Sequence, residues 1–243
     1  MPEQTELQTQ LQQMALALGA DFFGVADLAP AEAWIREQGG SMMAQYPRSL
    51  VVGVRMPSAI VDQLPNHDDR SVALAYRSHS YDILNDRLDQ IASRLASALQ
   101  REGYLAFPVR ASQTANAERL YGLISHKLSA HLAGLGWIGN SCLLVTPEFG
   151  PRVRWATVLT SAPLVPGKPM DARCGDCTEC VDACPAQAFT GRLFHADEPR
   201  EARYDAHKCS DYVDRHEGRA DLDISICGMC VYICPHGRNH SIR

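Results

Sequence analysis

Cys174-Gly175-Asp176-Cys177-Thr178-Glu179-Cys180-Val181-Asp182-Ala183-Cys184-Pro185 strings four thiols on one short segment and closes it with proline. This is the C-x2-C-x2-C-x3-C-P spacing with which bacterial two-cluster modules bind [4Fe–4S] cubes. Three thiolates at every third position wrap one corner of a cube, and the small or turn-forming residues between them let the backbone curl. The fourth thiol, carried onward by the following helix, faces away and ligates the other cube. Zinc sites also use C-x2-C pairs, but they space two such pairs apart. The spacing therefore predicts iron–sulfur chemistry.

A second run, Cys227-x2-Cys230-x3-Cys234-Pro235, lacks the middle cysteine of the first. A cube needs four ligands, and Cys209 is the cysteine left over in this region. Ligand counting assigns one cluster to Cys174, Cys177, Cys180 and Cys234, and the other to Cys184, Cys209, Cys227 and Cys230. A ninth cysteine, Cys142, falls in a predicted buried strand and reads as a core thiol.

Upstream, helices and strands alternate. Leu7, Leu11, Met14, Ala15 and Leu18 share one face of a predicted helix over 5–19, which Gly19 stops. Strands are expected at 22–28 and at 49–56, the second apolar enough for burial on both faces. Leu84, Leu88, Ile91, Leu95 and Leu99 define a helix over 82–102, followed by a strand over 104–109. A further helix is expected over 120–133, and 141–146 with 153–160 read as paired strands around a turn at 147–151. Three prolines and a glycine make 163–173 a linker. The pattern predicts an α/β layered domain over 1–165 and a double [4Fe–4S] ferredoxin-type domain over 166–243.

The composition sets further limits. With 243 residues, 46% apolar residues and a net charge of −5, the chain can bury a sizeable core. It carries no basic footprint for nucleic acid. The N-terminus lacks the basic flank of a signal peptide, and no run approaches a membrane span. A cytoplasmic protein with no membrane or nucleic-acid partner is expected. Gly134-Leu135-Gly136-Trp137-Ile138-Gly139 matches the letters of a dinucleotide fingerprint, but an expected helix precedes it and a strand follows. That is the reverse of the order such a site needs. These glycines read instead as points of close backbone approach.

The segment Ala133–Asn140, with SCLLVTPEFG, VRWATVLTSAPL and the cysteine runs, resembles the epoxyqueuosine reductases and their relatives the reductive dehalogenases. Cys209, in HKCSDY, resembles the extra cysteine that completes the second cluster in that family. The resemblance implies a nitroreductase-like, cobalamin-binding N-terminal domain, with the clusters passing electrons inward to cobalt. It brings Gly134, Gly136, Trp137, Gly139 and Asn140 near the corrin, with FMN as the alternative cofactor. A redox partner of ferredoxin or flavodoxin type would supply electrons, and a small molecule or a corrinoid would receive them.

Two departures separate this chain from the epoxyqueuosine reductases. Their Asp-x-x-Pro segment falls, in ungapped register, on Leu120-Tyr121-Gly122-Leu123, so the acid taken as proton donor is missing and Glu118 is off register. The chain also ends at Arg243, where those relatives continue into helical repeats that hold tRNA. A non-tRNA substrate is therefore expected. Tyr121 and His126, beside Ser125, Lys127 and His131, become the candidate proton donors. An electron-transfer or activating protein without substrate chemistry of its own is the other reading.

Overall fold

The computed structural model describes residues 5–214 and 226–238. In chain order, α1 (Glu6–Ala17), β1 (Phe22–Asp27), α2 (Glu32–Ala44), β2 (Arg48–Arg55), α3 (Ser58–Val61) and α4 (Arg70–Arg77) lead into α5 (Leu84–Arg101). Then come β3 (Ala106–Val109), α6 (His126–Leu132), β4 (Trp137–Ile138), β5 (Leu144–Val145) and β6 (Val153–Thr160). Four short helices finish the described chain: α7 (Glu179–Asp182), α8 (Ala206–Asp214), α9 (Met229–Tyr232) and α10 (Pro235–Arg238). Among the described residues no helix is long and apolar enough to cross a membrane.

The architecture is mixed α/β. A four-stranded sheet has the order β1-β2-β6-β3, with β1 antiparallel to β2 and β3 antiparallel to β6. The register Phe22↔Gly53 to Asp27↔Arg48 sets β1 along β2. In β2 the residues from Ser49 to Val54 are all buried, as its unbroken apolar run predicts. Helix α5 turns Leu84, Leu88, Ile91, Leu95 and Leu99 inward and packs on β3 and α1. Thr5 caps α1 through its side chain, and Gly19, at φ 93°, takes the left-handed conformation that ends it.

Three expectations from the sequence need correction. The helix over 120–133 begins only at His126. Ser125 Oγ accepts from Leu128 N–H at 3.2 Å as its N-cap, and residues 116–121 instead form a turn in which Leu120 sits at φ 51°. The segments 141–146 and 153–160 do not pair with each other. The turn at 147–151 is present, with Thr146 and Gly150 exchanging backbone hydrogen bonds, but β5 pairs with β4 and β6 with β3. Cys142 lies in a turn rather than a strand, at φ 54°, although it is buried as expected.

The chain forms two compact units, and their division does not follow the linear boundary expected at 165/166. Residues 1–54, 84–136 and 154–170 make the first, and 55–83, 137–153 and 171–243 the second. The physical reason is the shortage of apolar residues around the cysteines. Among the described residues downstream of 171 the buried apolar side chains are Ala188, Ala206, Ile226 and Val231, a small set for a core of its own. Segments from the middle of the chain complete it. The linker of 163–173 has no regular structure but is not free. Gln8 bonds both the amide and the carbonyl of Val165, and Gly167 N–H donates to Val25 O.

Candidate metal centre and the glycine loop

The cysteines sit on tight turns and helix starts. Gly175, at φ 52°, lets the chain reverse so that Cys177 N–H meets Cys174 O at 3.0 Å. Cys180 lies in α7, Cys209 in α8 and Cys230 in α9, while Cys234 stands immediately before Pro235 of α10. Gly228 takes the left-handed conformation, at φ 80°, as the N-cap of α9. All eight thiols are half-buried and free of disulfides.

Their mutual electrostatics divide them into two sets. Burial pushes Cys180 up to about 12, and the neighbours adding to that rise are Cys234, Cys174 and Cys177. Burial raises Cys234 to about 11; amide N–H groups of His236 and Gly237 oppose the rise, and Cys174 and Cys177 add to it. Cys230 is raised by burial and then by Cys227, Cys209 and Cys184, with Cys180 the weakest contributor. Burial also raises Cys209, the Tyr204 hydroxyl opposes and Cys184 adds. Thiols this crowded resist ionisation together unless a cationic group joins them, because coordination to a metal deprotonates a thiol outright. Among the described residues no three His, Cys, Asp or Glu side chains gather around the position of a single metal ion.

Each set also receives hydrogen bonds at sulfur. Trp137 Nε1–H donates to Cys174 Sγ at 3.4 Å, and Ala188 N–H donates to Cys184 Sγ at 3.4 Å. The Tyr204 hydroxyl lies close to Cys209 and favours its ionised form. Such donors stabilise thiolate charge.

The glycine loop makes the close backbone approaches that its composition predicts. Gly134, at φ 76°, has no room for a side chain, since a Cβ there would stand 2.4 Å from Lys168 O. Gly136 O accepts from His131 Nδ1–H at 3.2 Å. Trp137 and Ile138 form β4 and pair with Val145 and Leu144 of β5, and the turn closes through Cys142 N–H to Gly139 O at 2.8 Å. Asn140 Nδ2–H donates to Cys177 O at 2.9 Å. A Cβ on Gly139 would meet Val145 at 2.8 Å and Cys174 Sγ at 3.4 Å. Gly136, Trp137, Gly139 and Asn140 are all buried. The loop is thus filled by protein, and Trp137, Gly139 and Asn140 pack on the first cysteine run.

The candidate proton donors are similarly engaged. His126 Nε2 lies 2.8 Å from Arg110 O, a pure acceptor, so Nε2 carries the proton; Nδ1 then accepts from Thr157 Oγ1, also at 2.8 Å. Burial lowers its pKa from 6.5 to about 4, opposed by the Arg110 carbonyl bond and assisted by Arg154. A neutral ring with both nitrogens bound within the protein is a fixed strut rather than an acid facing a substrate. Tyr121 holds the turn through backbone bonds to Ala115 and Asn116, with the Arg119 guanidinium 5.0 Å from its ring centre.

His126 gives a pH-dependent stability with a defined sign. The unfolded histidine titrates near 6.5 and the folded one near 4. The unfolded chain therefore takes up the proton first, and the stability is present above about 6.5 and lost as pH falls toward 4. Between pH of about 7.5 and about 5.5 the loss is about 1.4 kcal/mol. Urea midpoints of wild type and His126→Gln at the two pH values, under argon, measure it. The variant loses this contribution to the pH dependence while any change common to both proteins cancels.

Residues 173–237 match the family model described as "4Fe-4S double cluster binding domain". An epoxyqueuosine reductase of Bacillus cereus is 31% identical over 125 residues, covering 48% of this chain and 30% of the relative. One of Leadbetterella byssophila is 27% identical over 249 residues, covering 93% and 78%. A reductive dehalogenase whose structure suggests a mechanism for B12-dependent dehalogenation superposes with a TM-score of 0.69 at 22% identity, covering 96% of this chain and 32% of that one. A selenomethionine-labelled epoxyqueuosine reductase superposes at 0.62 and 21%, covering 98% and 67%.

The chain is related to the epoxyqueuosine reductases and the reductive dehalogenases.

It carries their fold and a double [4Fe–4S] cluster domain, and it spans about a third of the length of the first curated relatives it matches. Against this epoxyqueuosine reductase-related fold, two site residues were missed from sequence. Tyr204 stands five positions before Cys209 with no periodic or motif signal, and Arg152 is buried to 1% exposure in a turn where sequence reading expects a surface charge.

Proposed function

We propose that the chain is an iron–sulfur oxidoreductase that relays electrons through two [4Fe–4S] clusters to a second redox centre and thence to a small substrate. One cluster would be held by Cys174, Cys177, Cys180 and Cys234, the other by Cys184, Cys209, Cys227 and Cys230. The observation that carries this is eight half-buried free thiols in the two cysteine runs and α8, in a stretch that matches a double [4Fe–4S] cluster domain over 173–237; the neighbours that raise Cys180, Cys234 and Cys209 come from within the same sets. Ligand counting in the sequence arrives at the same partition independently.

What the protein itself contributes is the cradle. Trp137 and the amide of Ala188 direct protons at sulfur, and the β4–β5 turn packs on the first run. A small redox protein of ferredoxin or flavodoxin type is the electron donor we infer.

The second centre is cobalamin in a nitroreductase-like first unit, a reading supported by the likeness to the B12-dependent dehalogenase. When bound, cobalamin would supply a reducible cobalt to the substrate. Of the loop residues that the resemblance gives to it, Gly136, Trp137, Gly139 and Asn140 are buried. The net charge of −5 supports a small substrate over tRNA. One observation favours an electron-transfer or activating protein instead: Leu120 stands where the relatives have an acid, and His126 has no nitrogen to offer.

The test is anaerobic purification with iron, sulfide and cobalt analysis, followed by gel filtration after addition of cobalamin or FMN. About eight irons per chain are expected, with cobalamin retained and FMN not. Zinc in place of iron would overturn the cluster reading. Full iron with no retained cobalamin would overturn the second centre and leave an electron carrier.

A further inference from the structure

Trp137 is 1% exposed, and its single polar atom is committed to a cysteine sulfur. An indole N–H donates and cannot accept, and a buried one requires a partner. Here the partner is Cys174 Sγ at 3.4 Å. The ring is fixed from two further sides. The His236 ring meets it edge-on with centroids 4.9 Å apart, and the Arg173 guanidinium lies 5.6 Å from its centre. The bare Cα of Gly139 lets the β4–β5 turn come this close to Cys174, where even a methyl group would stand 3.4 Å from the sulfur. The hydrogen bond to Cys184 comes from a backbone amide, which every residue but proline possesses. The bond to Cys174 depends on one side chain, so it is a device that this sequence encodes.

We propose that Trp137 is a positioning residue that raises the reduction potential of the cluster held by Cys174, Cys177, Cys180 and Cys234. This rests on the cluster reading above and deepens it. Reduction adds one electron, delivered by a low-potential one-electron donor, to a cluster already negative. No bond forms or breaks, and the indole proton stays on its nitrogen. The N–H dipole pointing at the ligand sulfur stabilises the reduced form more than the oxidised form, because the reduced form holds more charge. Hydrogen bonds to cluster sulfurs are among the known determinants of these potentials.

The experiment is an EPR-monitored redox titration of the holoprotein and of Trp137→Phe, under argon, with iron and sulfide measured on the same samples. The expected result is an unchanged iron content and a lower midpoint for one cluster only. At fixed potential its reduced-to-oxidised ratio falls about tenfold, or about 59 mV for one electron. Repeating the titration in Cys209→Ala identifies which cluster moves. Two unmoved midpoints at full iron would overturn the proposal while leaving the cluster reading intact. A wild type that binds no iron would overturn the cluster reading instead. Should Trp137→Phe load less iron, a protein that keeps Trp137 decides. With indole-15N tryptophan, the reduced cluster that survives in Cys209→Ala must show a nitrogen hyperfine coupling, and its absence overturns the proposal.

Discussion

Cys209→Ala purifies under argon with about four irons per chain in place of about eight, and the EPR signal that remains is that of the cluster held by Cys174, Cys177, Cys180 and Cys234. The second cysteine run is incomplete on its own. It offers Cys227 and Cys230 to one cluster, and its last thiol, Cys234, belongs electrostatically with Cys180, Cys174 and Cys177. Cys184 joins Cys230 from the first run. That set is one ligand short without Cys209, which α8 carries and whose pKa burial and Cys184 raise. Alanine removes the sulfur and leaves that cluster with three ligands. Cys180→Ala gives the reciprocal loss. Cys142→Ala retains all the iron, since that buried thiol meets Arg203 Nη1 at 3.7 Å and stands among none of the eight. Loss of both clusters from Cys209→Ala, or of neither, would overturn the partition.

How much of this was legible beforehand depended on the distance over which each signal acts. Periodicity located α1, α5, β1 and β2 because a helix face or a doubly buried strand is a local pattern. The cysteine runs were legible for the same reason, since each turn of the cradle lies within a few residues. The helix expected at 120–133 failed on the cap: serine is as common inside a loop as before a helix, and nothing local reveals that Leu120 adopts a left-handed backbone. The pairing of 153–160 failed because its partner, Ala106–Val109, lies far upstream, while a well-formed turn offered a nearer one. The glycine loop is the sharpest case. Its composition announces that something comes close to the backbone, but not what. The neighbours are Lys168 and Cys174, both more than thirty residues on. His126 reads from sequence as an available acid, and its two hydrogen bonds to Arg110 and Thr157 are both long-range.

Replacing Asp62 by alanine destabilises the holoprotein by about 3–5 kcal/mol, and adding Arg152→Met to that variant restores most of the loss. Arg152 is 1% exposed, and its Nη1 donates to Asp62 Oδ1 at 2.7 Å. Its Nε and Nη2 are buried without an acceptor among the described residues. The guanidinium lies against the turn that follows Cys234, so close that a Cβ on Gly237 would stand 2.9 Å from Arg152 Nε. Asp62, at the C-terminal end of α3 and with its side chain 32% exposed, is the one carboxylate in its ion pair. Without it a full positive charge stays in a low-dielectric site with no counter-charge among the described residues, which costs far more than the pair itself contributes. Methionine has comparable length and no charge, and it fills the same channel past Gly237. The double variant is therefore more stable than the single one, although it has lost both partners. Urea midpoints of the three proteins under argon, read with iron content, measure this. A double variant that equals the sum of two independent losses would show that the guanidinium was never uncompensated. The order predicted from burial is wild type first, the double variant close behind, and Asp62→Ala last.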